Sequence, residues 1–193
     1  MRSESSSLRV VVAVEDCETG ERLYTDTMDI QQGAVLQARD ALVDRIVCAA
    51  YPALLRVSGR RAAKRVHEPD VRTWELTHAG MALVDRSNAT DNARALVLFE
   101  QAHARDPHDM LSSYGCGLAS YFGLLNQWIP RDIASARLLT AAEQCLAMNC
   151  RSEHGHFLMA RWLMAQGDYA QAIAPLRRAV AINPSFGIGH SVL

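Results

Sequence analysis

Three stretches of the chain, "LFEQAHARDP" (98–107), "AAEQCLAMNC" (141–150) and "PLRRAVAINP" (175–184), end in the same way. Each carries a small residue (Ala102, Cys145 or Ala179), an alanine two positions on, and then Asp or Asn, with Pro following in two of the three. The residues from Ala172 into the last stretch also set Ala172, Ile173, Leu176, Ala179, Val180 and Ile182 at spacings of three and four before Asn183-Pro184. That is the period of an amphipathic helix closed by a proline. The three endings fall 43 and 34 residues apart. A helical unit recurring at such a period cannot bury its apolar face alone, so its neighbours must stack on it to make a continuous core.

The residues divide accordingly into units over about 73–107, 110–150 and 153–185, followed by an incomplete helix up to residue 193. In the third unit Ala160, Ala172 and Ala179 are small where two helices would approach closely, and Met159, Leu163 and Leu176 take the large apolar places. Gly167-Asp168-Tyr169 reads as the turn between the two helices, and Pro184 closes the unit. Close approach of two helices requires small side chains at the contact. The first unit offers Trp74, Gly80, Leu83, Ala95, Phe99, Ala102 and Pro107, and the second Tyr114, Gly117 and Tyr121.

These residues resemble the tetratricopeptide repeat family, the third unit most closely. The first unit is three residues longer between Gly80 and Pro107 than the resemblance implies, which assigns the excess to the "DRSNATDN" turn. The second places its excess in a loop around "LLNQWIPRD" and ends in Cys150 rather than Pro. His156 stands where the family has an aromatic residue, and Pro175 predicts a bend within the last full helix.

The N-terminal part has a different period. "LRVVVAV", the turn-forming "EDCETGE" and the alternating "RLYTDTM" predict a β-hairpin from Leu8 to about Asp29. Two strands alone are marginal in water, so the hairpin reads as the remnant of a larger α/β unit. A helix over 32–55 follows from Val35, Leu36, Ala38, Leu42, Ile46, Val47, Ala50 and Leu54, with Pro52 ending or bending it. Residues 56–72 read as a linker with a basic helical turn carrying Arg60, Arg61, Lys64 and Arg65. The expected fold is therefore mainly α: a tetratricopeptide-like superhelix over 73–193, preceded by a partial α/β segment over 1–55.

Charge and cysteine usage narrow the function. With 20 Lys and Arg against 21 Asp and Glu, nothing draws the chain to nucleic acid by bulk charge. Cys17, Cys48, Cys116, Cys145 and Cys150 are odd in number and form no C-x-x-C pair, which argues against a disulfide framework and for a reducing, cytoplasmic setting. No apolar run is long enough to span a bilayer. The run Cys145, Cys150, His154, His156 has zinc-binding residue types. Its spacing across a helix end does not surround one point, and Cys145 is wanted in the repeat core, so no metal and no cofactor are expected. Glu15 and Asp16 read as turn residues rather than metal carboxylates, and Trp128 and Trp162 as packing residues.

A wider resemblance rests on Asp16 to Leu23, Arg45 to Leu55, Trp74 to Gly80 and Ala95 to Pro107. These look like the accessory C-terminal half of bacterial class III adenylate/guanylate cyclase-like proteins, and of related winged-helix transcriptional activators. The resemblance implies a non-catalytic interaction or regulatory module, with a sensor arm of an activator or a free-standing adaptor as the alternatives. It also implies a concave face, formed by the first helix of each unit, that takes a protein or peptide partner. Carried over position by position, that face comprises Trp74, Thr77 and Met81, then Leu111, Tyr114, Leu118 and Tyr121, then His154, Phe157, Arg161 and Met164. The array would expose apolar surface at its last helix, giving a route to self-association unless Phe186, Ile188 and Val192 fold back over Leu176 and Val180.

Overall fold

The computed structural model describes residues 7–17, 19–31, 43, 46, 50, 54, 57–68, 71–184 and 186–190. The chain divides into two units, Met1–Val57 and Ser58–Leu193.

In the first unit, β1 (Ser7–Glu15) and β2 (Arg22–Gln31) pair antiparallel. The alternation explains the pairing. Leu8, Val10, Val12 and Val14 stand opposite Ile30, Met28, Asp26 and Tyr24, and the other face sets Arg9 against Asp29 in a 2.8 Å ion pair. Among the described residues the sheet has two strands. Residues 43, 46, 50 and 54 are helical. Pro52, with Val35, Leu36, Ala38, Leu42 and Val47, lies outside the described residues.

The second unit is helical. Residues 58–65 of this unit are helical (α1), where the sequence reads as a linker with a single turn. Its Gly59 lies so close to the next helix that a Cβ there would come within 2.7 Å of Ala82 Cβ. Arg65 at its end pairs with Glu75 at 2.5 Å and with Glu68 at 2.6 Å. Then come α2 (Thr73–Val84), α3 (Ala89–Arg105), α4 (Met110–Leu125), α5 (Arg131–Met148), α6 (Glu153–Ala165), α7 (Tyr169–Ile182) and the short α8 (Gly187–His190). Each helix from α2 to α7 packs on the next, and α2, α4 and α6 also touch one another in sequence. The chain is mainly helical with an N-terminal two-stranded hairpin, and its helical part is a row of stacked antiparallel hairpins.

The shared sequence ending is one local structure made three times. At the ends of α3, α5 and α7 the cap residues Asp106, Asn149 and Asn183 leave the helix with φ of −139, −150 and −129°. In each the cap N–H closes on the carbonyl of the small residue four back, Ala102, Cys145 or Ala179, at 2.9–3.0 Å. All three small residues are fully buried. The Asp or Asn is needed because its side chain accepts the N–H two residues on, as Asp106 does from His108 and Asn149 from Arg151, both at 2.9 Å. Three positions after the first two caps, Asp109 and Ser152 start the next helix by accepting N–H groups of its first turn.

Packing depends on a few close approaches. The Phe99 ring of α3 fills a slot between Gly80 of α2 and Gly115 of α4, and a Cβ at either glycine would come within 2.6 or 2.3 Å of Phe99 Cε1. Gly117 meets Leu158 of α6 and Ala141 of α5 in the same way. The extra residues of the first two units sit in helices more than in turns. α3 has 17 residues against 14 in α7, so "DRSNATDN" ends inside α3 after its Asn88 cap, which accepts from Asp91 N–H at 2.9 Å. α4 and α5 have 16 and 18 residues, against 13 in α6. Lengthened helices bury additional apolar turns, whereas a longer loop would only cost closure entropy. α7 runs through Pro175.

The C-terminal segment folds back as its apolar residues require, and it reaches beyond α7. Phe186 is buried, with its ring 5.3 Å from that of Phe157 and 5.6 Å from that of His154, both on α6. Gly189 lies against Phe186 and Val180. Val192 lies outside the described residues.

Candidate interaction face

The eleven positions carried over from the repeat resemblance all lie on α2, α4 and α6, the helices that form the touching inner row, but they separate into two groups. Thr77, Tyr114, Leu118 and Phe157 are buried. They form the seam between repeats and are not a surface offered to a partner. Thr77 Oγ1 donates to Asp109 Oδ2 at 2.9 Å, joining α2 to the cap of α4. The Tyr114 ring stacks on His154 with centroids 4.1 Å apart and planes 20° apart. Phe157 receives Phe186 edge-on. Trp74, Met81, Leu111, Tyr121, His154, Arg161 and Met164 keep part of their surface in solvent, Trp74 most clearly at 47%.

The Trp74 ring meets His78 edge-on at 5.6 Å, which fixes an aromatic surface on α2. On α6, the Arg161 guanidinium lies over two rings, 4.6 Å from the centroid of Tyr121 and 5.0 Å from that of Phe157. Burial pulls the Arg161 pKa below its ordinary value, an effect that Tyr121 and then Tyr114 oppose. The group stays charged, since arginine titrates far above neutrality. Its Nε is buried without a hydrogen-bond partner, and among the described residues no carboxylate pairs with it.

Next to Arg161 is an open cavity of about 910 Å³. One wall is the C-terminal end of α4 and the following turn, where Gln127 takes a left-handed φ of 59° and the N–H groups of Trp128 and Ile129 both close on the Gly123 carbonyl. The other wall is the end of α6 and the turn at Gly167, which has φ 85°. Two side chains tie the α6 end to α5: Arg131 donates to the Ala165 carbonyl, and Gln166 Nε2 donates to Ser135 Oγ at 2.7 Å. Trp128 is partly buried and lines this cavity, whereas Trp162 packs on the core.

The cysteine and histidine run of 145–156 does not converge. Cys145 is buried in the repeat core, Cys150 is exposed, His154 lies against Tyr114, and His156 Nε2 is bonded to the Cys150 carbonyl at 3.0 Å. Among the described residues no group of three or more His, Cys, Asp or Glu could hold a metal ion. Burial pushes the thiols of Cys116 and Cys145 up to about 12, so neither is a thiolate near neutral pH. Cys48 lies outside the described residues. Among these residues no helix is long and apolar enough to cross a membrane.

Both partly desolvated histidines titrate below their ordinary value, His154 because burial outweighs the attraction of Glu153, and His156 because burial outweighs its bond to Cys150. A histidine whose folded pKa is depressed binds fewer protons than the unfolded chain as pH falls below about 6.5, so its contribution is complete above that value and declines below it. Chemical denaturation midpoints should therefore fall between pH 7 and pH 5. His154→Phe, which keeps the ring stack, should flatten part of that slope.

Comparisons with protein-family models, with curated proteins and with solved structures return no match for the chain.

Proposed function

We propose that the helical unit is a protein-interaction module whose inner row, α2, α4 and α6, takes a segment of a partner protein. The observation that carries this reading is the set of partly exposed large side chains on that row, Trp74, Met81, Tyr121 and Met164, held by a buried seam of Thr77, Tyr114, Leu118 and Phe157. Aromatic side chains on a rigid face supply contact area at little entropic cost, and methionine adapts its shape to a partner. The three equivalent helix endings support membership of the tetratricopeptide repeat family. The stretches Asp16 to Leu23, Arg45 to Leu55, Trp74 to Gly80 and Ala95 to Pro107 support an accessory role in a cyclase-like signalling protein, with the sensor arm of a winged-helix activator or a free-standing adaptor as the alternatives. In this reading the chain regulates and does not catalyse.

Selection of a displayed random peptide library on the immobilised protein tests the reading. Enriched peptides should bind Trp74→Ala and Tyr121→Ala variants at least about tenfold more weakly, the cost of removing an aromatic anchor. Val97→Ala, at an exposed position of α3, should leave binding unchanged. A library that yields no enriched peptide, or peptides indifferent to both inner-row substitutions, overturns it.

A further inference from the structure

We infer that the cavity beside Arg161 is a binding site for a small organic anion with an apolar body, such as an aryl or alkyl carboxylate, at the end of the inner row, where Tyr121 and Met164 of that row also line it. Three observations point to it. First, Arg161 keeps a partly buried charge with an orphaned Nε and no carboxylate partner among the described residues. Ring faces offset only part of what such a charge loses on leaving water, so an anion placed against it gains unusually. Second, the lining is apolar and aromatic, with Leu124, Trp128, Ile129 and Met164 among it, and its charged members are two arginines and no carboxylate. The volume of about 910 Å³ falls in the range of small-ligand sites. Third, the walls are braced. Gln127 and Gly167 hold left-handed conformations in the two turns that face the cavity, and Arg131 and Gln166 clamp the end of α6. A non-glycine residue held at positive φ is a cost that the surrounding structure must sustain.

The helix ends that border the cavity would by themselves disfavour an anion, because a C-terminus carries partial negative charge. Here those carbonyls are answered: Ala165 by Arg131, Phe122 by Asn126 Nδ2 at 3.0 Å, and Gly123 by the N–H of Trp128 at 2.8 Å. The remaining field at the cavity is that of the Arg161 and Arg131 guanidiniums, with the rings of Tyr121 and Trp128 set to enclose a flat or branched apolar group.

Anilinonaphthalene sulfonate, an aromatic anion that fluoresces in apolar sites, is a direct probe. It should bind the full chain saturably at one site, with energy transfer from tryptophan. Arg161→Met should weaken that binding at least about tenfold, the loss of a charge-assisted contact, with unchanged helical circular dichroism. Phenylbutyrate should displace the probe from the unmodified protein at a concentration at least about tenfold lower than phenylbutanol, which shares its body and lacks the charge. That comparison does not require the variant to fold. Absent or non-saturable binding, equal displacement by acid and alcohol, or an Arg161→Met protein that folds and binds the probe as before overturns the inference. An adventitious apolar dye site would give the last two results.

Discussion

Phe99→Ala is expected to destabilise the helical unit by about 3–5 kcal/mol, the cost of emptying a fully packed aromatic site. Phe99 is fully buried, and its ring is the part of α3 that enters the slot between Gly80 and Gly115. Two helices approach each other through those glycines, so neighbouring side chains cannot collapse into the vacancy without moving a backbone. Urea denaturation followed by circular dichroism reads the effect as a lower midpoint. Val97→Ala two residues away is an internal control, because Val97 is half exposed and its loss should stay within about 0.5 kcal/mol. The complementary change, Gly115→Ala, places a methyl group 2.3 Å from Phe99 Cε1 and should cost about 1–3 kcal/mol through overpacking. If Phe99→Ala and Val97→Ala melt alike, the slot between α2 and α4 does not exist as described.

Tyr114→Ala is expected to cost about 3 kcal/mol, while Tyr121→Ala, seven residues further along the same face of α4, should cost about 1 kcal/mol or less. The first ring is 5% exposed and stacked on His154, so its removal opens the seam between the second and third hairpins. The second is partly exposed, and its main partner is the Arg161 guanidinium at 4.6 Å. Tyr121 is therefore a position where binding can be altered with the fold intact, and Tyr114 is not. A position-by-position transfer from the repeat resemblance treats the two tyrosines as equivalent members of a groove. Equal destabilisation by the two substitutions, measured by the same denaturation, would show that the seam and the open face are not separated in this way.

The helix endings were legible because each is a local device: a small residue that must be buried, then an Asp or Asn whose side chain closes the turn. Ala102 with Asp106, and Cys145 with Asn149, needed no knowledge of the rest of the chain. The placement of the extra residues was not local. "DRSNATDN" is polar throughout, and a polar stretch reads as a turn unless its cap is noticed. Asn88, with Asp91 three residues on, was the available signal that a helix begins there. For the inner face, the helices were legible and the exposures were not, because Tyr114 and Phe157 are covered by residues 40 and 29 positions further on in the chain, His154 and Phe186. The cavity was hidden for the same reason, since its walls come from two turns far apart in sequence. The apolar Trp128-Ile129-Pro130 within a turn was the one local hint that this turn packs against something.

α2, α4 and α6 form one touching inner row, and Phe186, just before α8, packs its ring against α6. Two-dimensional nuclear Overhauser spectroscopy on protein with selectively labelled aromatic rings tests it most directly. Cross-peaks are expected between the rings of Tyr114 and His154, whose centroids lie 4.1 Å apart, and between Phe157 and Phe186, 5.3 Å apart. Well-resolved resonances for these rings with neither cross-peak, and with Tyr114 in contact only with residues of its own hairpin, would contradict it.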